Sequence, residues 1–594
     1  MVLKSNLNLL INKMKEKKYD AFLVPRGDVF SGEEVPKNEE RLKYISKFSG
    51  SAGYAIISSA PKLKSAIFSD GRYEIQLKKE VNSKEFNIFE GGMKEAYYFL
   101  KSNHKNLNKI AIDPWLITCA QYEYLRKTLS KTKSQINFID ENLIDKIWIN
   151  RPNKVEEKIF KLSFKQTGAT SSGKINRLKK IIIEHNCDYY ILFNPMGLAW
   201  LLNIRGKDLK YTPISRSYCI VSKNNEVFIF SENKTFKNLV NKNDKLHLLK
   251  PQKLFSFIKK LKNKNFLIDP KYLPLKINHV LESNLINIKT ISCPIEKFKS
   301  IKNINELNGF KIAHFKDGLA ILKLFLWIKK NIDTKHLTEM TISQKLLEIR
   351  KLDETFISES FSTISAFNDN GAIVHYKVNK ISDKKIDCDG LYLIDSGAHY
   401  LEGTTDVTRT LLVGKATFEM IEDYTDVLKG HIAVSTAIFP EKTFGREIDS
   451  FARKPLWEKG KDYAHGTGHG VGSLLSVHEG PVSISKHSES YLKCGMVISN
   501  EPGYYKRGQY GIRIENLEVV KRKYFKNQNR NFLCFENLTR VPLELDLINK
   551  KLLTRSEINW INDYHEKVYK DLSKFIKKDE KQLLKFLKIK TSRI

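Results

Sequence analysis

The chain has 594 residues, 41% of them hydrophobic and 11% aromatic, and a formal net charge of +34. At roughly 150 residues per domain, that length suits two to four domains with real cores, and the composition excludes wholesale disorder. It holds no uncharged apolar run of roughly 18 residues, so no membrane-spanning helix is expected.

The positive charge does not point to nucleic acid. Only 19 of the 101 basic residues are Arg, and Lys is spread through every segment. Readers of bases and phosphates lean on Arg forks. The excess reads as a solvated basic surface, with weak, salt-sensitive adhesion to polyanions as its consequence. No specific nucleic-acid partner and no membrane partner are expected. The seven cysteines are scattered and form no CxxC pair, as for reduced thiols in a cytoplasm.

In chain order, Met1–Asp20 reads as a polar amphipathic helix. It has no long apolar stretch and no small-residue cleavage site, so no secretory leader is expected. A strand over Ala21–Pro25 follows, then Tyr44–Gly50, a strand over Tyr54–Ser58 and the apolar Ala66–Ser69. The same order returns later. A helix from Lys174 ends at Asn186-Cys187-Asp188, and a strand covers Tyr189–Phe193. Trp200–Gly206 comes next, then strands over Ser217–Val221 and Val227–Ser231. Two copies are too few for a solenoid. They predict two related α/β domains, residues 1–150 and 151–297, divided near Arg151-Pro152-Asn153.

A third, larger domain, residues 298–594, mixes strands and helices. It opens on a long helix over Asn303–Lys330, with Leu307, Phe310, Ala313, Ala320, Leu324 and Trp327 at helical spacing. The Lys-rich C-terminus carries an apolar stripe (Leu572, Phe575, Ile576, Leu583, Leu587) and reads as an amphipathic surface helix.

Chemistry concentrates in this third domain. His465, His469, His478 and His487 are four of the fourteen histidines. Gly466, Gly468, Gly470, Gly472 and Gly480 interleave with them, and such glycines let backbone approach a ligand or metal. An apolar strand, Leu391–Ile394, runs into Asp395. A loop with Gly397 and Gly403 leads to Asp406 and a second strand, which brings the two Asp together. A third strand, Met496–Asn500, ends at Glu501. A fourth, Gly511–Val520, alternates, with Ile512 and Ile514 on one face and Arg513 and Glu515 on the other. Buried carboxylates are rarely tolerated without partners. Four of them balance two divalent cations, with His469 as a neutral fifth ligand. Carboxylate-rich ligation favours Mn(II), Co(II) or Zn(II). Such a pair of ions can hold a bridging hydroxide and polarise a carbonyl, which is hydrolytic chemistry.

His375-Tyr376, Asp395-Ser396-Gly397, Thr404–Thr410, His465–Gly472, Val477–Pro481, Glu501–Tyr505 and Gly511–Asn516 resemble, in order and spacing, the "pita-bread" metallopeptidases. Among these the match is closest to the three-domain Xaa-Pro aminopeptidases (aminopeptidase P). Phe48–Gly53 and Asp70–Tyr73 look like that family's first domain, and Trp200–Asp208 like its second. Lys302-Asn303, Glu306, Ala313-His314 and Lys316-Asp317 look like the helix that opens its catalytic domain. Leu538–Pro542 and Asn559–His565 look like its C-terminal extension.

The resemblance implies α/β and α+β architecture: two related creatinase-type N-terminal domains and a pita-bread catalytic domain. It implies Asp395 as a ligand of one metal, Asp406 and Glu515 as bridging ligands, and His469 and Glu501 as ligands of the second. Glu501 would also be the general base, and His478 would hold the scissile carbonyl or pass a proton. His375 and His465 would help stabilise the oxyanion, and Arg513 would orient Glu515. The implied cofactor is two divalent ions per subunit, Mn(II) first, Zn or Co next. The implied substrates are peptides with proline second, and the implied state is a cytoplasmic homodimer. Rival readings are a prolidase, which usually carries one N-terminal domain, a methionine aminopeptidase, or a metal-free binding relative. The complete ligand set argues against the last.

Overall fold

The computed structural model describes residues 5–240, 245–332, 337–526 and 530–594. The first four positions of the expected N-terminal helix lie outside it. The chain forms two compact units. The first takes in nearly all of residues 1–295, and the second takes in residues 296–594 with two short earlier segments.

Within the first unit the internal repeat is physical. One six-stranded sheet runs Phe86–Glu90, Ser65–Ser69, Tyr54–Ser58, Ala21–Pro25, Lys109–Ile112, Gln135–Phe138. The other runs Leu246–Leu249, Val227–Phe230, Tyr218–Ser222, Tyr189–Leu192, Asn265–Ile268, Asn287–Thr290. The two agree in order and in polarity. In each, an antiparallel meander occupies the middle, and parallel strands are added at both edges. Central strands such as Ala21–Val24 and Cys219–Val221 are buried on both faces, which accounts for their unbroken apolar runs.

The second unit opens on the Ile304–Asn331 helix. Asn303 caps its first turn, and Glu306 reaches back to the Asn303 backbone N–H at 3.0 Å. The helix packs against a core that includes Tyr392, Tyr424, Leu428, Ile512 and Ile514. Two sheets deliver the polar residues. Ile364–Phe367, Gly390–Ser396 and Val407–Val413 form one, and Ile438–Pro440, Phe532–Asn537, Asn516–Lys523 and Val497–Asn500 form the other.

Two expectations are corrected here. The single strand expected over Gly511–Val520 is two strands, Tyr510–Arg513 and Asn516–Lys523, in different sheets. The break falls at Ile514-Glu515, where backbone N–H groups turn to Pro502 O and Thr408 O. Both faces are buried there, with Ile512, Arg513, Ile514 and Glu515 each 2% exposed or less. The apolar–polar alternation therefore separates core from site, not core from solvent. The C-terminal stripe does lie on amphipathic surface helix, but it is divided between two helices and not carried by one. Arg555–Leu572 and Lys581–Lys590 are separate helices, and Leu572, Leu583 and Leu587 lie in the core of the unit. Their apolar side is thus already used, and no helix among the described residues is long and apolar enough to cross a membrane.

Candidate metal centre

Asp395 and Asp406 stand on neighbouring strands. In the antiparallel register Asp395 faces Thr408, two residues beyond Asp406. The connecting loop is pinned from beneath. Arg350 donates to both oxygens of Asp317, at 2.8 and 3.1 Å, and also to Ser396 Oγ and Gly397 O. Asp317 in turn accepts from Thr405 Oγ1 at 2.7 Å. Arg350 and Asp317 are fully buried, so removing one partner costs about 3–5 kcal/mol.

Glu515 arrives from the break between strands. Its backbone N–H donates to Thr408 O, and its Oε2 accepts from Thr408 Oγ1 at 2.8 Å. Its carbonyl accepts from Arg409 Nη1 at 2.6 Å. Arg409, 1% exposed, gives its remaining bonds to neutral oxygens: Thr408 O, Asn516 Oδ1, Val541 O, Pro542 O and the Tyr564 hydroxyl. The C-terminal region thereby holds a guanidinium against the main chain of Glu515.

His469 lies on a two-residue strand, Gly468-His469, paired with Ser483-Ile484. A Cβ on Gly468 would sit 1.9 Å from Ser499 O, and one on Gly470 2.3 Å from Glu479 O. These glycines thus serve close backbone packing against neighbouring segments, a reason different from the ligand approach expected from the sequence. The His469 Nδ1 pairs with Gly470 O at 3.0 Å. That bond assigns the proton to Nδ1 in the neutral ring and leaves the Nε2 lone pair for a ligand. Nε2 stands 3.5 Å from Asp406 Oδ2 and 3.3 Å from Glu501 Oε1. Ser499 Oγ accepts the His469 N–H and donates to Glu501 Oε1 at 3.1 Å.

Asp406, His469 and Glu515 each offer a ligand atom within 4.8 Å of the others. Their titration expresses unanswered negative charge. Burial, reinforced by Asp395 and Glu501 against the pull of His469, lifts Asp406 to about 6. Burial and then Asp406, Glu501 and Asp395 hold Glu515 well above the carboxylate range. Burial lowers His469, but Asp406 and Glu501 outweigh it and raise the imidazole to about 9. Asp395 stands outside that trio, with Oδ2 taken by Arg513 Nη2 at 2.6 Å. Its buried Oδ1 has no hydrogen-bond partner among the described residues. Converging carboxylates, a pre-oriented imidazole and an orphaned oxygen fit hard or borderline divalent cations.

Of the remaining expected residues, His478, His465 and Arg513 are connected to this centre. The His478 ring meets the His469 ring edge-on at 4.4 Å. His465 Nε2 pairs with the Tyr505 hydroxyl at 2.8 Å, and Arg513 Nη1 donates to that hydroxyl at 2.6 Å. A chain of contacts therefore runs His465–Tyr505–Arg513–Asp395. His375 is half-buried just after the Asn368–Ala372 turn, where Gly371 packs against Gly511.

Sequence reasoning gave no role to Tyr505 or to the support beneath His478. Tyr505 was accessible through strand alternation, because Gly503↔Arg513 and Tyr505↔Gly511 pairing puts Tyr505 and Arg513 on one face. Beneath His478, Glu479 accepts from Lys302 Nζ at 2.6 Å, and Lys299 Nζ stands 3.0 Å away. Lys299 also faces Glu296 at 3.3 Å. Burial would raise Glu479, but the two lysines prevail and hold it below the usual range.

The metallopeptidase family M24 matches residues 308–522, and the C-terminal region of that family matches 531–594. Creatinase/prolidase N-terminal domains match residues 7–146 and 150–306. Xaa-Pro aminopeptidase 1 of Dictyostelium discoideum is 38% identical over 593 residues, 96% of this chain and 93% of that protein. The X-prolyl aminopeptidase of Caenorhabditis elegans, described as a cytosolic enzyme with a di-nuclear active site, has a TM-score of 0.93 at 30% identity over 99% of both chains. The chain belongs to the M24 metallopeptidases and, within them, to the Xaa-Pro aminopeptidases. The Xaa-Pro dipeptidase of Bacillus anthracis shares the fold alone, with a TM-score of 0.52 and 23% identity over 63% of this chain.

Proposed function

We propose that the chain is a metal-dependent aminopeptidase that releases the first residue of peptides with proline second. The observation that carries this is the convergence of Asp406, His469 and Glu515 beside Glu501, with Asp395 Oδ1 left without a partner. In this reading Asp395 holds one divalent ion, His469 and Glu501 hold another, and Asp406 and Glu515 are shared. Mn(II) is the first candidate, ahead of Zn(II) and Co(II). When bound, two such ions supply a hydroxide nucleophile and polarise the scissile carbonyl.

The protein's own groups do the rest. Glu501 accepts the proton of the attacking water as general base. His478, packed on His469, holds the carbonyl or passes the proton to the leaving nitrogen. His465 and His375 meet the developing oxyanion. Arg513 fixes Asp395 through Nη2 and Tyr505 through Nη1. An Xaa–Pro bond is a tertiary amide without an N–H, so enzymes that bind backbone by strand-like pairing lose a donor there. A site that grips the ring and the free amino terminus accepts it. Seven unpaired cysteines and the cytosolic nematode relative support a cytoplasmic setting.

The test compares kcat/KM for Xaa-Pro, Xaa-Pro-Yaa and Xaa-Ala-Yaa in the Mn(II)-loaded protein, with metal stoichiometry measured in parallel. Two ions per chain and a preference for Xaa-Pro-Yaa are expected. A best dipeptide substrate would make it a prolidase, and equal rates for proline and alanine would discard proline specificity.

A further inference from the structure

The loop that presents His465 has no strand or helix of its own. It runs between the Gly445–Trp457 helix and the two-residue strand Gly468-His469. A buried ion pair on that helix holds it instead. Asp449 and Arg453 stand one helical turn apart, 3% and 4% exposed, with Arg453 Nε donating to Asp449 Oδ2 at 2.7 Å. A guanidinium has five N–H donors, and each finds an acceptor here. Besides Nε, Nη2 reaches Asp449 Oδ1 at 3.3 Å and His465 O at 2.7 Å. Nη1 reaches Asp462 Oδ1 at 2.7 Å and Tyr463 O at 2.8 Å.

The same pair also reaches His465 through side chains. The guanidinium lies over the Tyr463 ring, 4.0 Å from its centroid, and the Tyr463 ring meets the His465 ring at 4.7 Å. Thr467 Oγ1 donates to Asp449 Oδ1 at 2.6 Å, and the Tyr463 hydroxyl lies 2.5 Å from that Oγ1. With its own proton given to Asp449, Thr467 accepts from Tyr463, so the hydroxyls form a directed chain that ends on the helix. His465 Nε2 pairs with the Tyr505 hydroxyl, which Arg513 also grips. The imidazole is thereby held by its main chain, by its contact with Tyr463 and by its Nε2. A pair that served helix stability alone would have no need of the His465 carbonyl or of the ring packed on His465. Groups whose own rotamers are locked by packing and hydrogen bonds are what hold a site side chain in a productive geometry.

We propose that Arg453 and Asp449 are positioning residues for His465 and fix its imidazole where a bound peptide meets it. The aminopeptidase reading supplies what His465 does, whereas how it is held rests on the geometry alone. A double-mutant cycle in the Mn(II)-loaded protein tests the link, with kcat/KM for Xaa-Pro-Yaa measured in Arg453→Lys, Asp449→Asn and His465→Ala and in each of the first two combined with the third. Either positioning variant should lose at least about tenfold with both ions bound, and should lose little more once His465 is alanine. Tyr463→Phe removes one hydroxyl only, and it should show a smaller loss with the same non-additivity even if Arg453→Lys does not fold. The imidazole resonance of His465 in isotope-labelled protein, identified by its absence in His465→Ala, needs no activity and should shift in Asp449→Asn and Tyr463→Phe. Losses that multiply with that of His465→Ala, loss of an ion, or an unmoved resonance would each overturn the proposal. A shifted resonance in a protein whose parent shows no proline preference would discard the aminopeptidase reading and uphold the way His465 is held.

Discussion

Glu479 and Asp406 are both carboxylates of the second unit, each 3% exposed, yet only Glu479 has its charge answered by the fold. Lys302 and Lys299 grip Glu479, Glu296 balances the second lysine, and the quartet is neutral. Asp406 shares its space with Glu515, Glu501 and Asp395 against one imidazole, and burial with this crowding lifts it to about 6. Folding alone does not favour such an arrangement. An answered charge marks scaffold, and an unanswered one marks where a cation from outside belongs. Each experiment below exchanges the two conditions or examines a case between them.

The largest effect is expected at the shared ligands. Asp406→Asn or Glu515→Gln should lose at least one metal equivalent and abolish hydrolysis, because a neutral amide cannot balance two divalent charges. Without metal the same variants should be no less stable than the parent, since the repulsion there is relieved. Metal analysis and urea melts in chelator measure both, and near-normal turnover with two ions bound would remove the assignment. His478→Ala comes next. It should retain both ions while kcat falls about 10²–10⁴-fold, the usual scale for a positioned proton-transfer group. Loss of metal instead would make His478 a ligand.

The answered cluster should respond in stability first. Lys302→Met leaves Glu479 only Lys299, and breaking a buried pair costs about 3–5 kcal/mol. Replacing Lys302 and Glu479 together by apolar residues should recover most of that loss. Because Glu479 adjoins His478, kcat should fall with metal content unchanged. A urea midpoint indistinguishable from the parent would mean that the quartet is no scaffold.

The two clusters also differ in how far the sequence disclosed them. Asp395, Asp406, His469, Glu501 and Glu515 were legible because each borders an apolar strand, alternates with apolar residues along one, or sits in a glycine-rich run, and such signals are local. The Lys302–Glu479 contact joins residues 177 positions apart, and although Lys302 falls in a recognised motif, nothing local to it or to Lys299 announces Glu479 as the partner. The break at Ile514-Glu515 was hidden for a related reason. Alternation continues across it because both faces are buried, so periodicity carries no sign that Arg513 belongs to one sheet and Asn516 to another. The repeat in the first unit was readable in order, but the matching polarity of the two sheets needed coordinates.

Glu518 lies between the two conditions and should give the smallest effect. It is 1% exposed, and its Oε2 has no hydrogen-bond partner among the described residues. Its neighbours are the neutral Ser435, Asn500 and Asn537, and burial raises it from 4.5 to about 7. Here the fold can answer the charge by keeping the proton. The folded state binds that proton more tightly than the unfolded chain does. The stability it contributes is therefore complete below pH 4.5 and lost as pH rises through about 7. Glu518→Gln mimics the protonated form, so it should match the parent near pH 4.5 and exceed it in alkaline solution by at most about 3 kcal/mol. Urea midpoints across that pH window measure the divergence. Parallel curves for the two proteins would mean that Glu518 keeps its charge when folded. A cation or an unseen partner would then be answering it, and the contrast between Glu479 and Asp406 would need a third member.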